Sequence, residues 1–199
     1  MKVFWGGQLV TASKARVDPA DRGLTLGDGL VETIAVRDGR AARLHAHLIR
    51  LRDGADIIGL KVPLGDQELG AAFQDVIEAN GIGEGVLRLT LTRGPAPRGL
   101  LPPAPAQPSL LITGVAQDLT MAKAATAVIA TVTRRNEHSP LSGIKTIGFL
   151  DAIMAAREAS TRGADEALLL NTAGNLAEAT VANLFLVIDG GAVTPPVHD

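Results

Sequence analysis

Residues 94–108 read GPAPRGLLPPAPAQP and hold six of the chain's eleven prolines. Proline lacks a backbone N–H and fixes φ, so neither a helix nor an inner strand can run through this stretch. The break leaves on either side enough of the 199 residues for a small domain. Before it, KVFWGGQLV sets Gly6-Gly7 between two apolar runs, a two-residue hairpin signal. GLVETIAVRDGRAARL repeats the idea, with a strand from about Leu30 to Val36, a turn at Asp38-Gly39 and a short return strand. Leu44, Leu48, Leu51, Ala55 and Ile58 then recur at helical spacing. A second helix is expected over Asp66–Ala79, and VLRLTLTRG alternates as a strand. After the break come the apolar strand SLLITGVA, a strand near Ala127–Val132 and a helix at about 149–162 stopped by Gly163. The strands EALLL, NLAEAT and ANLFLVI follow, separated by the turns NTAG and DGG. The pattern is α+β in two parts: an N-terminal domain over 1–107, a connection over 108–120 and a C-terminal domain over 121–199.

Composition narrows the function. A formal charge of −2 gives no basic surface for nucleic acid or for an acidic membrane, and one Trp with no Tyr offers few stacking platforms. The absence of cysteine removes disulfides, thiolate metal sites and cysteine nucleophiles, and suits a reducing cytoplasm. MKVFWGGQLVT lacks the apolar run of a signal peptide, and no run of about eighteen apolar residues spans a membrane. GIGEGV (81–86) follows a helix and opens a strand, the reverse of a dinucleotide loop. In HAH (45–47) the two histidines, at i and i+2 on a helix, point apart, so no metal site is expected.

Three residues form a chemically coherent group. SGIKTIGFL (142–150) holds one of only five lysines in a chain with fourteen arginines. Arginine keeps its proton in proteins, whereas a lysine in apolar surroundings can lose it and become a nucleophile, which singles out Lys145. Arg50 lies on a helical stripe with Arg43 and His47, bordering Leu44, Leu48 and Leu51, where a guanidinium can clamp a phosphate. Glu178, in NLAEATVANLF, is an acid between two runs of small and apolar residues.

These pieces occur in a familiar order. DRGLTLGDGLVETI (21–34), HLIRL (47–51), RLTLTRGPAPRG (88–99), IKT (144–146) with AIMAAREA, and ADEALLLNTAGNLAEATVANLFLV (164–187) resemble the fold-type IV pyridoxal-phosphate enzymes. That family comprises branched-chain aminotransferases, D-amino acid aminotransferases and 4-amino-4-deoxychorismate lyases. The resemblance covers the chain and implies a two-domain D-amino acid aminotransferase-like fold with its C-terminal part truncated, since relatives continue past TPPVHD. It implies pyridoxal 5'-phosphate as cofactor, held covalently by Lys145, with Glu178 facing the pyridine nitrogen and Arg50 on the phosphate. Asn183 matches an asparagine that fixes local backbone. Arg98 matches the substrate-carboxylate arginine of the D-amino acid enzymes, whose nearby histidine is Leu100 here. The branched-chain enzymes carry a tyrosine five residues after the lysine, where this chain has Leu150.

The composition suits a cytoplasmic protein, and the resemblance further implies a homodimer acting on a small amino acid and a 2-oxo acid. The leading expectation is an aminotransferase. The alternatives are the lyase, which releases pyruvate and 4-aminobenzoate, and a catalytically dead relative or fragment serving as a binding module.

Overall fold

The computed structural model describes residues 1–120 and 124–196. Met121, where the second domain was expected to begin, Lys123 and the end of TPPVHD lie outside them. The chain forms two compact units, one of residues 1–120 with Ile144–Ile147, the other of the remainder.

The first unit is built on a six-stranded sheet. β1 (Lys2–Trp5) and β2 (Gln8–Thr11) form the expected hairpin, with Gly6 and Gly7 at φ 59° and 86°. β3 (Gly29–Arg37) turns through Asp38-Gly39 into β4 (Arg40–Ala41). With β5 (Gly85–Thr92) and β6 (Ser109–Ala116) the order is β2-β1-β6-β5-β3-β4. Helices α2 (Leu44–Ile57) and α3 (Asp66–Asn80) cover one face, as their period requires. Beneath them lie Leu30, Ile34, Val36, Leu87, Leu89, Leu91 and Ile112, all at most 2% exposed, with Phe73 and Leu69 from α3. Period-two alternation sends these side chains one way and their neighbours to the opposite face.

The proline-rich stretch plays a different part from the one its composition suggests. Residues 109–116 are not a connection. They form an inner strand paired with β5 from Ser109↔Thr92 to Ala116↔Gly85 and with β1 at Phe4↔Ile112. Residues 94–108 are therefore a loop between two neighbouring strands of one sheet, and the first unit runs on to Thr120. Gly94 closes that loop: at φ 81°, a Cβ there would lie 1.8 Å from the Gln107 carbonyl oxygen. A short helix absent from the sequence reading, α1 (Arg22–Leu26), precedes β3, its N-terminus capped by Asp21, which accepts from Gly23 N at 2.7 Å.

In the second unit, β7 (Ala127–Ile129) runs parallel to β8 (Glu166–Leu170), with α4 (Leu150–Thr161) as the crossover. β9 (Leu176–Ala179) pairs antiparallel with β8, and β10 (Leu186–Ile188) with β11 (Gly191–Val193). Small residues let α4 sit close on the sheet: Ala130, Ala155, Ala159 and Ala167 are buried. Among the described residues no helix is long and apolar enough to cross a membrane.

Glu158 ties α4 to the end of β7. It accepts from Thr131 N at 2.8 Å, Val132 N at 3.0 Å and Thr131 Oγ1 at 2.9 Å. These bonds, the two from backbone first, draw its carboxyl from 4.5 down to about 2. A carboxyl whose folded pKa is depressed contributes stability above its unfolded pKa and loses it as pH falls through the folded value. Glu158→Gln should therefore lower the thermal midpoint at pH 7, the difference from wild type shrinking below pH 4.5 and closing near pH 2; calorimetry across that range checks it.

Candidate active site

Lys145 lies in the first unit. Residues Ile144–Ile147 run antiparallel beside the start of β3, with Val31 N donating to Lys145 O at 2.9 Å and Ile147 N to Gly29 O at 3.1 Å. Ile144 is 8% exposed and belongs to the core beneath the helices. Alternation then puts the half-buried Lys145 on the sheet's other face, the one α2 and α3 leave uncovered. Gly29 allows β3 to pack closely on β5: a Cβ there would lie 2.4 Å from Leu91 O, while the tip of Ile147, at 3.2 Å, would need only a small shift.

Residues directly opposite in a ladder share a face. Lys145 is opposite Val31, Val31 pairs with Thr90, Thr90 with Leu111 and Leu111 with Trp5. One step along, Thr33, Arg88 and Thr113 make a second row.

Glu32, next to Val31, points the other way and is 1% exposed in a position that alternation reserves for an apolar side chain. Its carboxylate accepts from Arg50 Nε at 2.7 Å and from Arg50 Nη2, and lies 2.7 Å from His47 Nδ1. This bonding, ahead of burial and charge, raises the Arg50 pKa. Arg50 Nη1 makes no hydrogen bond among the described residues, and the side chain is about half exposed. His47 is thus the partner of a carboxylate, while His45 is exposed.

Arg98 is exposed on the 94–108 loop. The loop is gripped from below by Arg22, whose Nη1 donates to Gly99 O and Nη2 to Leu100 O, both at 2.8 Å. Arg22 Nε in turn donates to Asp28 Oδ2 at 2.7 Å, as does Arg93 Nε, and Arg93 continues to the carbonyls of Ile58 and Gly59. Burial pushes the Asp28 carboxyl up, but hydrogen bonds and charge from Arg93 and Arg22 outweigh it and hold the pKa low.

In the second unit Glu178 sits on β9 opposite Leu169, half-buried, with Arg135 Nε 2.9 Å from Oε1. Arg135 is itself fixed through its backbone N to Leu170 O and its Nη2 to Ser142 O, both at 2.8 Å. Asn183 is exposed, and the turn before it is closed by Ala179 N donating to Ala182 O.

Lys145, Arg50 and Arg98 therefore belong to one unit and Glu178 to the other. Sequence reasoning missed Glu32, Asp28, Arg22, Arg93 and Arg135. For Glu32 a signal existed: an acid in register with Leu30, Ile34 and Val36 must find a buried partner. Taken by chemical type rather than by position, Lys145, Glu178 and Arg50 supply an amine, a carboxylate and a guanidinium, the groups that an aldehyde, a pyridine nitrogen and a phosphate call for. The latter two keep polar atoms unclaimed among the described residues, Glu178 Oε2 and Arg50 Nη1. The donor set fits pyridoxal phosphate.

Comparison with known proteins agrees. A family model described as amino-transferase class IV matches residues 29–199. D-alanine aminotransferase of Bacillus licheniformis is 30% identical to this chain over 203 residues, covering 99% of this chain and 69% of that protein. The solved structure of 4-amino-4-deoxychorismate lyase from Pseudomonas aeruginosa superposes with a TM-score of 0.83 at 33% identity, covering 98% of this chain and 71% of that one. The structure of the branched-chain aminotransferase from Thermoproteus uzoniensis gives 0.89 at 32% identity, with 100% and 69% covered. The chain belongs to the class IV aminotransferases, a family of pyridoxal-phosphate-dependent enzymes.

Proposed function

We propose that this chain is an aminotransferase that moves an amino group between a small amino acid and a 2-oxo acid, with Lys145 as its catalytic base. The observation that carries the reading is the position of Lys145. Its backbone is fixed on β3, and its side chain is half-buried on the sheet face opposite the core. A lysine in its neutral form can attack a carbonyl and then take and return a proton.

Lys145 Nζ would hold the cofactor covalently and, once displaced by the substrate's amino group, move the proton at the substrate's α-carbon. Arg50 would hold the phosphate through Nη1, its guanidinium plane fixed by Glu32. Glu178, with Arg135 on one oxygen, would set its other oxygen against the pyridine nitrogen and stabilise a proton there. Pyridoxal phosphate, when bound, supplies the ring that takes up the electron pair left by deprotonation. Arg98 would meet a substrate carboxylate. A cytoplasmic site suits a chain without cysteine, and a homodimer suits a loop tip with Leu100 and Leu101 83% and 90% exposed.

A second reading, the lyase, is favoured by the 33% identity to the Pseudomonas aeruginosa enzyme and by Leu100 where D-amino acid enzymes keep histidine. Pyruvate release from aminodeoxychorismate without an oxo-acid acceptor would establish the lyase. Amino transfer that requires the acceptor would establish the aminotransferase.

With pyridoxal phosphate added, wild-type protein should turn yellow and retain the cofactor after borohydride reduction. Lys145→Ala should lose that link and at least about 10²-fold in turnover, whereas Lys123→Ala keeps both. Colourless wild-type protein would instead support a non-catalytic binding module. Glu32→Gln should cost about 1–3 kcal/mol by urea titration, because Arg50 loses its charged partner. It should also raise the Kd for pyridoxal phosphate by about tenfold or more, since the phosphate donor is no longer held; equilibrium dialysis checks this.

A further inference from the structure

We propose that Arg22 is a positioning residue for Arg98, holding the 94–108 loop so that the Arg98 guanidinium is presented to the substrate's carboxylate. The inference rests on the reading of Arg98 given above and adds the group through which it works. A long side chain on an exposed loop has many positions open to it, and binding must take that freedom away. Here the backbone on both sides of Arg98 is fixed. Before it, Arg22 N donates to Gly94 O at 2.9 Å and Ala96 N to Ala20 O at 3.2 Å. After it, Arg22 Nη1 donates to Gly99 O and Nη2 to Leu100 O, both at 2.8 Å. At the stem of the loop, buried Asp21 accepts through Oδ2 from Thr92 Oγ1 at 2.9 Å and from Ser109 Oγ at 2.8 Å. Consecutive residues, Asp21 and Arg22, thus hold its stem and its tip.

Charge and burial make the tip contact hard to release. The Arg22 and Arg93 side chains are each 6% exposed, and both donate through Nε to Asp28 Oδ2 at 2.7 Å. One carboxylate cannot take every N–H of two buried guanidiniums. The remaining donors need other acceptors, and for Arg22 these are the carbonyls of the two residues that follow Arg98. Withdrawing the loop would strand Arg22 Nη1 and Nη2, a loss comparable with two hydrogen bonds to a charged group. The position of Arg98 is therefore set by what Arg22 requires.

The test compares wild type, Arg22→Gln, Arg22→Lys, Arg98→Gln and the double variant Arg22→Lys/Arg98→Gln, all loaded with cofactor. Trypsin supplies a readout that needs no turnover, because it cuts between Arg98 and Gly99, beside the carbonyl that Arg22 holds. Arg22→Gln should speed nicking there by about tenfold or more, read by mass spectrometry, with Arg22→Lys between it and wild type. Steady-state kinetics would follow both enantiomers of alanine and of glutamate with a 2-oxo acid acceptor, and aminodeoxychorismate without one. For the substrate turned over, Arg98→Gln should raise KM about tenfold or more and Arg22→Lys about threefold to tenfold. In both, kcat should change less than about threefold. A residue that acts through Arg98 has nothing left to position once Arg98 is gone, so the double variant should match Arg98→Gln alone. Arg22→Lys keeps a cation against Asp28, and it carries the test if Arg22→Gln does not fold. A wild-type KM or a wild-type nicking rate in the Arg22 variants, or losses that multiply in the double variant, overturns this inference and leaves Arg98 as the carboxylate contact. An unchanged KM in Arg98→Gln overturns that reading of Arg98 and the inference with it, as does wild-type protein that turns over none of these substrates.

Discussion

The backbone pairing of Ile144–Ile147 with the first residues of β3 is the constraint on which the candidate chemistry depends. Two hydrogen bonds, Val31 N to Lys145 O and Ile147 N to Gly29 O, fix the register. The side chains make that register costly to change. A slip of one residue would turn Ile144 out of the core and send the Lys145 ammonium into it. Burying an isoleucine side chain is worth about 1.5–3 kcal/mol. Burying an unpaired ammonium costs more than that. Hydrophobic patterning four residues long thus decides which way the Lys145 amine faces.

Two acids hold arginines at the same strand. Half-buried Asp28, just before β3, holds Arg22 and Arg93, whose forks reach elsewhere, and buried Glu32, within β3, holds Arg50. Such ion pairs repay little net stability, because desolvation offsets most of the attraction. Their effect here is positional. Asp28 holds Arg22 and Arg93, which grasp the carbonyls of Gly99, Leu100, Ile58 and Gly59. The loop bearing Arg98 and the end of α2 are thereby referred to the residue beside β3. Since the Asp28 pKa is lowered, this clamp is in force above the ordinary carboxylate range and loosens only as pH falls through the folded value.

Much of this was legible locally. Gly6-Gly7 and Asp38-Gly39 turn where turn chemistry says they should, and DGG gives the β10–β11 hairpin, because a two-residue turn needs only its own residues at positive φ. The apolar period of α2 and the ranges expected for α3 and α4 fall within a residue or two of the observed ends. The proline loop shows the limit. Its composition excludes regular structure within it, yet says nothing of where the chain goes next, and SLLITGVA proved to be an inner strand beside β5. Likewise Arg135 carries no local sign that it will meet Glu178, nor Arg22 that it will meet Asp28 and two loop carbonyls. Ion pairs across tens of residues are settled by tertiary packing, and periodicity is blind to them. Lys145 stood out by residue type, but its partner strand lies more than a hundred residues earlier in the chain.

The division of labour between the two basic residue types follows from their chemistry. Arg22, Arg93, Arg50 and Arg135 each join a carboxylate to the surrounding structure, and several do so with two or three donors of one planar group. That task wants a cation that never loses its proton and a geometry that locks its partners. An arginine at position 145 would bring the same permanence, and with it an amine equivalent unable to attack or to carry a proton. Conversely, a lysine at position 22 could reach Asp28 or the loop carbonyls, but its point charge lacks the fork that holds all three at once. The permanent charges build the frame, and on the reading proposed above Lys145 is left to do what they cannot.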